Sequence, residues 1–104
     1  MPNEIPSATR KKVIERDKDR CWRCGLRGTE IQHRKRRREG GHSLSNLIRM
    51  CHTCHMWVHD HPAGATGSGW TVSVYGNPSQ IPVQRWDGAL ILLHDDGQMT
   101  FVSD

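Results

Sequence analysis

The alternation of apolar and polar positions divides the chain into short elements. Residues 1–6, with two prolines, read as a tail. Ser7 is placed to cap a helix over residues 8–17, whose only large apolar side chains are Val13 and Ile14. That helix is expected to pack through a narrow stripe, leaving Arg10, Lys11, Lys12 and Arg16 on a solvated face. Residues 21–25 read as a tight knuckle ending in Gly25. Residues 29–34 alternate as a short strand that puts Ile31 and His33 on one face and Gln32 on the other. A basic, glycine-containing loop follows over residues 34–45, then a second strand over residues 47–50. A helix is expected to begin near His52 or Thr53 and to stop at Pro62. Residues 63–69 read as a small-residue linker and residues 70–75 as an alternating strand. Residues 89–94 and 98–102 flank Asp95-Asp96-Gly97, a strong hairpin signal. Trp70 and Trp86 are the expected packing anchors of this C-terminal part.

At 104 residues from an initiating Met, the chain is expected to be a complete single-domain protein, residues 1–104. Only 35% of its residues are apolar, and a small domain with so thin a core needs a staple. Four cysteines in two C-x-x-C pairs supply one. The N-terminus lacks the apolar stretch of a signal peptide, and no run approaches a membrane span. The thiols are therefore read as metal ligands in a reducing compartment, with a cytoplasmic location, in preference to disulfides.

Cys21, Cys24, Cys51 and Cys54 meet the tetrahedral four-thiolate demand of a structural Zn2+, each pair converging on one ion at roughly 2.3 Å. His52 is a less natural substitute ligand. The 26 residues between the pairs exceed the usual zinc-ribbon gap, so further structure is built into them. His55 and His59, four apart on the second helix, lie about 40° from each other around its axis, and His61 points elsewhere. Two imidazoles on one face suit a divalent transition metal.

Charge is unevenly spread. Residues 1–61 carry a net +7 and residues 62–104 a net −3. The basic part coincides with the Cys/His part, which favours a polyanionic partner. Arg34, Lys35, Arg36, Arg37 and Arg38 form an unbroken cationic run whose guanidinium forks match phosphate oxygens, so they are the candidate nucleic-acid clamp. Gly40-Gly41 would allow close approach to a duplex, and His42 reads as loop surface. No element reads as a base-reading helix, so specificity is expected to be low or shape-based.

Gln32-His33, Gly40-Gly41, Asn46-Leu47 and Cys51-x-x-Cys54-His55-x-x-x-His59, preceded by Cys21-x-x-Cys24, resemble the HNH endonucleases, ββα-metal nucleases of the His-Me finger class. The resemblance spans about residues 9–61 and is to short phage-type members. It implies an α+β fold: a small zinc-stapled ββα-metal, treble-clef-like core with an N-terminal helix and a C-terminal β-hairpin extension over about residues 70–102. It implies hydrolysis of DNA phosphodiester bonds, with nicking or double-strand cutting. In the resemblance, His33 is the general base that activates water and Asn46 orients the strand carrying it. His55 and His59 ligate a catalytic divalent cation (Mg2+, Mn2+, Ni2+ or Zn2+), which stabilises the transition state. The residue before the base is usually Asp or His in the family; Gln32 stands there in this chain and offers only a neutral amide oxygen. Duplex DNA, contacted mainly through its backbone, is the implied partner, with a phage terminase as an associated protein by family analogy and the host cytoplasm as the setting. The rival reading is a non-catalytic treble-clef zinc module that binds nucleic acid or protein. A thiol redox protein is a third, disfavoured by two zinc-spaced pairs.

Overall fold

The computed structural model describes residues 4–102. In chain order it contains α1 (Ser7–Asp17), β1 (Glu30–His33), α2 (Arg37–Gly40), β2 (Leu47–Met50), α3 (His52–Asp60), α4 (Pro62–Gly67), β3 (Val83–Gln84), β4 (Leu90–Leu93) and β5 (Met99–Phe101). The result is a mixed α+β fold with two small antiparallel sheets, β1–β2 and β3–β4–β5.

Strand β2 is the partition of the molecule. All four of its residues are buried, and period-2 alternation sends them two ways. Ile48 and Met50 enter the main core with Trp22, Val58, Ala65, Trp70, Ile91 and Leu93. Leu47 joins a smaller cluster with Val13 of α1 and Leu44, flanked by Ile5 and Ile31. Its pairing with β1 sets Gln32 opposite Ile48 and His33 opposite Leu47. Helix α3 follows β2 directly and packs back against β1.

Helix α1 is fastened at its C-terminal end. Arg16, expected on a solvated face, is instead buried. It donates to the carbonyls of Leu44 (2.7 Å) and Leu47 (2.5 Å) and to Asp17 Oδ1 (2.7 Å). Asp17 in turn accepts from the Arg49 amide at 2.9 Å. At the other end Pro6 occupies the capping position with no side-chain bond. Ser7 lies inside the first turn and does not cap it.

Two further expectations fail in the C-terminal part. The small-residue stretch is helix α4, with Pro62 in its first turn, where a missing amide hydrogen costs nothing, and Ala65 fully buried. Residues 70–75 alternate in burial but pair with no strand among the described residues. The amides of Trp70 and Thr71 return to the Ala65 carbonyl at 3.0 and 3.3 Å, and Val72 donates to the Arg34 carbonyl at 2.8 Å. Local capping of α4 has taken the hydrogen bonds that a ladder needs. The hairpin forms as expected: β4 and β5 pair around residues 94–98, and the His94 amide donates to the Gln98 carbonyl at 3.0 Å. Trp70 is buried and donates to the Gln84 carbonyl at 2.8 Å. Trp86 is 39% exposed and braces the Cys21–Gly25 knuckle, with Arg20 stacked on it at 3.8 Å. Among the described residues no helix is long and apolar enough to cross a membrane.

The C-terminal part is tied to β1 by Arg34. Its side chain is 1% exposed and donates to four backbone carbonyls: Gly69 at 2.8, Ser45 at 2.8, Pro78 at 2.9 and Ile81 at 2.7 Å. Burial pushes its pKa down to about 9, still above neutrality, so the guanidinium stays charged and its donors stay engaged. Lys35 is also committed, its Nζ donating to the Gly76 carbonyl at 2.9 Å. Arg34 and Lys35 therefore leave the expected phosphate clamp. Arg36, Arg37 and Arg38 remain exposed, the last two on the single turn of α2.

Candidate metal centre and adjoining cleft

The knuckle brings two sulfurs together because the chain reverses within five residues. Cys21 donates its amide to the Leu26 carbonyl at 2.7 Å, the Gly25 amide returns to the Cys21 carbonyl at 2.9 Å, and Gly25 takes φ +78°. The other two sulfurs frame the start of α3. Cys51 sits at the helix N-cap and its sulfur accepts from the Cys54 amide at 3.4 Å. All four sulfurs lie within 4.8 Å of one another, and Cys24 and Cys51 are 3.8 Å apart. Four sulfurs held tetrahedrally at about 2.3 Å from one ion would be about 3.8 Å apart. The quartet thus fits a zinc-like ion. No disulfide links the thiols. Arg23 brings a cation to the cluster, 3.5 Å from Cys54 Sγ, while stacking on Trp57 at 3.9 Å. His52 turns away and hydrogen-bonds Glu30, which removes it as a fifth candidate.

Beside this centre, a cleft of about 800 Å³ opens between β1, α3 and the segment after α4. Gln32, His33, His55, His59, Arg36 and Arg37 all contribute to its walls. The rings of His55 and His59 face each other with centroids 5.1 Å apart, as their spacing on one helix face requires. Gln32 is 4% exposed; its Nε2 donates to the Trp70 carbonyl at 2.6 Å and its Oε1 is buried without a partner. Among the described residues the cysteine quartet is the group in which three or more Cys, His, Asp or Glu ligand atoms converge. Among the described residues no third Cys, His, Asp or Glu ligand atom converges with both His55 and His59.

His33 is half-buried at the other wall. Burial, reinforced by Arg37 and His42, pushes its pKa down to about 4, so the imidazole is neutral at pH 7. Its Nε2 lies 3.0 Å from His42 Nδ1. Asn46 is fully buried and acts on the backbone: Oδ1 accepts from the Lys35 amide at 2.7 Å, and Nδ2 donates to the carbonyls of Lys35 (2.9 Å) and Gly41 (3.0 Å). Gly40 is required by this clamp, since a Cβ there would lie 2.5 Å from Asn46 Nδ2. His61, off the shared face, stacks on Trp57 at 4.2 Å.

Two residues in contact with these side chains carry little signal in the sequence. Glu30 accepts from both imidazoles at the head of α3: Oε1 lies 2.5 Å from His55 Nδ1 and Oε2 2.7 Å from His52 Nδ1. These bonds hold its carboxyl below the usual range. Strand alternation is the one hint, because Glu30 shares the Gln32 face that meets α3. His42 has none, since nothing periodic fixes a side chain in a loop. Comparison with protein-family models, with curated proteins and with solved structures finds no match to this chain.

Proposed function

We propose that this protein is a zinc-stapled module that grips the nucleic-acid backbone, and that its cleft hydrolyses a phosphodiester there, as the resemblance to HNH endonucleases implies. The fold itself establishes less: an α+β domain with a four-cysteine cluster able to hold a metal. That cluster bears most directly on the non-catalytic reading, a zinc module binding nucleic acid or protein, which needs only the cluster and the exposed Arg36, Arg37 and Arg38. One observation favours hydrolysis in addition. A single cleft collects a neutral imidazole, an unpartnered buried amide oxygen, a facing pair of imidazoles and two exposed arginines. A binding module requires none of the first three.

In the hydrolytic reading, His33 takes a proton from the water that attacks phosphorus; burial keeps the ring uncharged and open to that proton at neutral pH, and makes it a weaker base than a histidine titrating near 7. Asn46 holds the backbone just beyond His33 and fixes the ring's approach. Arg36 and Arg37 take phosphate oxygens at the rim. Gln32 Oε1, His55 and His59 would hold a divalent cation. The amide oxygen is the donor with an unmet bond, and Glu30 keeps the His55 Nδ1 proton engaged, leaving Nε2 as the ligating atom. Such an ion supplies charge neutralisation at the phosphate and the leaving oxygen.

The test is incubation of the zinc-loaded protein with supercoiled plasmid and Mg2+, Mn2+ or Ni2+, beside His33→Ala. Nicking by the wild type and its loss in the variant is the expected result. Retarded but intact plasmid with every metal would leave the binding module as the function.

A further inference from the structure

At the edge of the cleft two imidazoles meet nitrogen to nitrogen. His33 Nε2 and His42 Nδ1 are 3.0 Å apart, with ring centroids at 5.2 Å and planes inclined by 52°. A hydrogen bond between two imidazole nitrogens uses one proton, so one ring donates and the other accepts. If His42 donated, neutral His33 would carry its own proton on Nδ1, and neither of its nitrogens would have a free lone pair. If His42 accepts, His33 carries its proton on Nε2 and keeps the Nδ1 lone pair.

The backbone brings both rings under one control. Asn46 bonds Lys35, two residues beyond His33, and also the carbonyl of Gly41, directly before His42. Gly41 turns the chain there with φ +62°. The asparagine thus sets the distance between the two segments that carry the rings.

Resting on the hydrolytic reading above, we propose that His42 is a positioning residue for His33. Its Nδ1 accepts the His33 Nε2–H, which locks His33 in one tautomer with Nδ1 free to take the proton of the attacking water. When that proton arrives at Nδ1, the Nε2–H bond to His42 is retained. The imidazolium keeps its partner and the ring does not turn. Metal-bound histidines are commonly held by the same device, in which a bond at one ring nitrogen decides what the other can do.

The experiment compares wild type, His42→Phe and His42→Asn as full-length, zinc-loaded proteins. Asn returns an acceptor near the Nδ1 position; Phe keeps the ring and removes it. Two measurements are made on each: steady-state plasmid nicking with Mn2+, and the His33 tautomer from long-range proton–nitrogen correlation spectra. The expected result for Phe is a kcat about 100-fold lower with KM unchanged, as for a misplaced catalytic group, and a mixed His33 tautomer. Asn is expected to restore the Nε2–H tautomer and most of kcat. An Nδ1–H tautomer for His33 in the wild type would overturn the proposal, as would a Phe variant with the wild-type tautomer. If the wild type cuts nothing, the hydrolytic reading fails by itself, and the spectra still decide whether His42 sets the tautomer.

Discussion

His33 carries a consequence for stability as well as for chemistry. An ordinary histidine titrates near 6.5, and burial holds this one down to about 4. Between those values the unfolded chain binds a proton that the folded chain refuses, so acid favours unfolding. The contribution is complete above about 6.5 and declines as pH falls towards 4. We expect the urea midpoint of His33→Gln, which cannot titrate, to fall less between pH 7 and pH 4.5 than that of the wild type. Equal losses would mean that His33 is not the group responsible. Glu30 permits a second prediction at this scale. Its removal frees the His55 tautomer, and lost carboxylate support typically lowers metal affinity about 10–100-fold. For the divalent cation proposed on His55 and His59, calorimetric titration of zinc-loaded Glu30→Ala with Mn2+ is expected to show a fall of that size, and an unchanged affinity would separate Glu30 from that proposed site.

Arg34 joins elements that the chain keeps far apart. A single guanidinium at the end of β1 satisfies carbonyls at residues 45, 69, 78 and 81. Methionine fills similar space and donates nothing. Leaving several buried carbonyls unpaired costs about 1–3 kcal/mol each, so Arg34→Met is expected to lose at least about 3 kcal/mol in denaturant unfolding, after allowing for some rescue by water. A loss below about 1 kcal/mol would show that those carbonyls find other partners. The neighbouring turn, α2, is expected to behave in the opposite way. Arg36, Arg37 and Arg38 are exposed, so their triple alanine variant should fold normally. Its affinity for duplex DNA should fall, and the salt dependence should flatten by about 0.9 in log–log slope for each phosphate no longer neutralised. An unaltered slope would remove these three arginines from the proposed nucleic-acid surface.

Across the whole molecule, the sulfur quartet couples the fold to the cleft. It joins the knuckle to the head of α3, the helix that also carries His55 and His59. Structural zinc contributes directly to folding free energy in small domains. Stripping the metal with a chelator is therefore expected to abolish the cooperative thermal transition seen by circular dichroism. A cooperative transition that survives in metal-free protein would show that the apolar clusters around β2 suffice alone.

The cysteine quartet and the α3 face were legible in the sequence because each depends on spacing. C-x-x-C places two sulfurs by covalent geometry, and i,i+4 places two imidazoles by helix repeat. The β4–β5 hairpin was legible for the same reason, its turn chemistry being local. What failed needed a partner distant in sequence. Residues 70–75 have a strand's pattern, but a ladder needs a neighbour, and their amides were taken by α4 and by Arg34. Arg34 and Arg36 are equivalent as letters in a cationic run; four remote carbonyls bury the first, and solvent receives the second. The contacts of Glu30 and His42 existed only once the strand met the helix and the loop met the strand. The sequence by itself determined which atoms could gather on a metal or along a helix face. Only the tertiary structure decided which charges are spent inside the fold, because burial and long-range hydrogen bonding belong to the assembled chain.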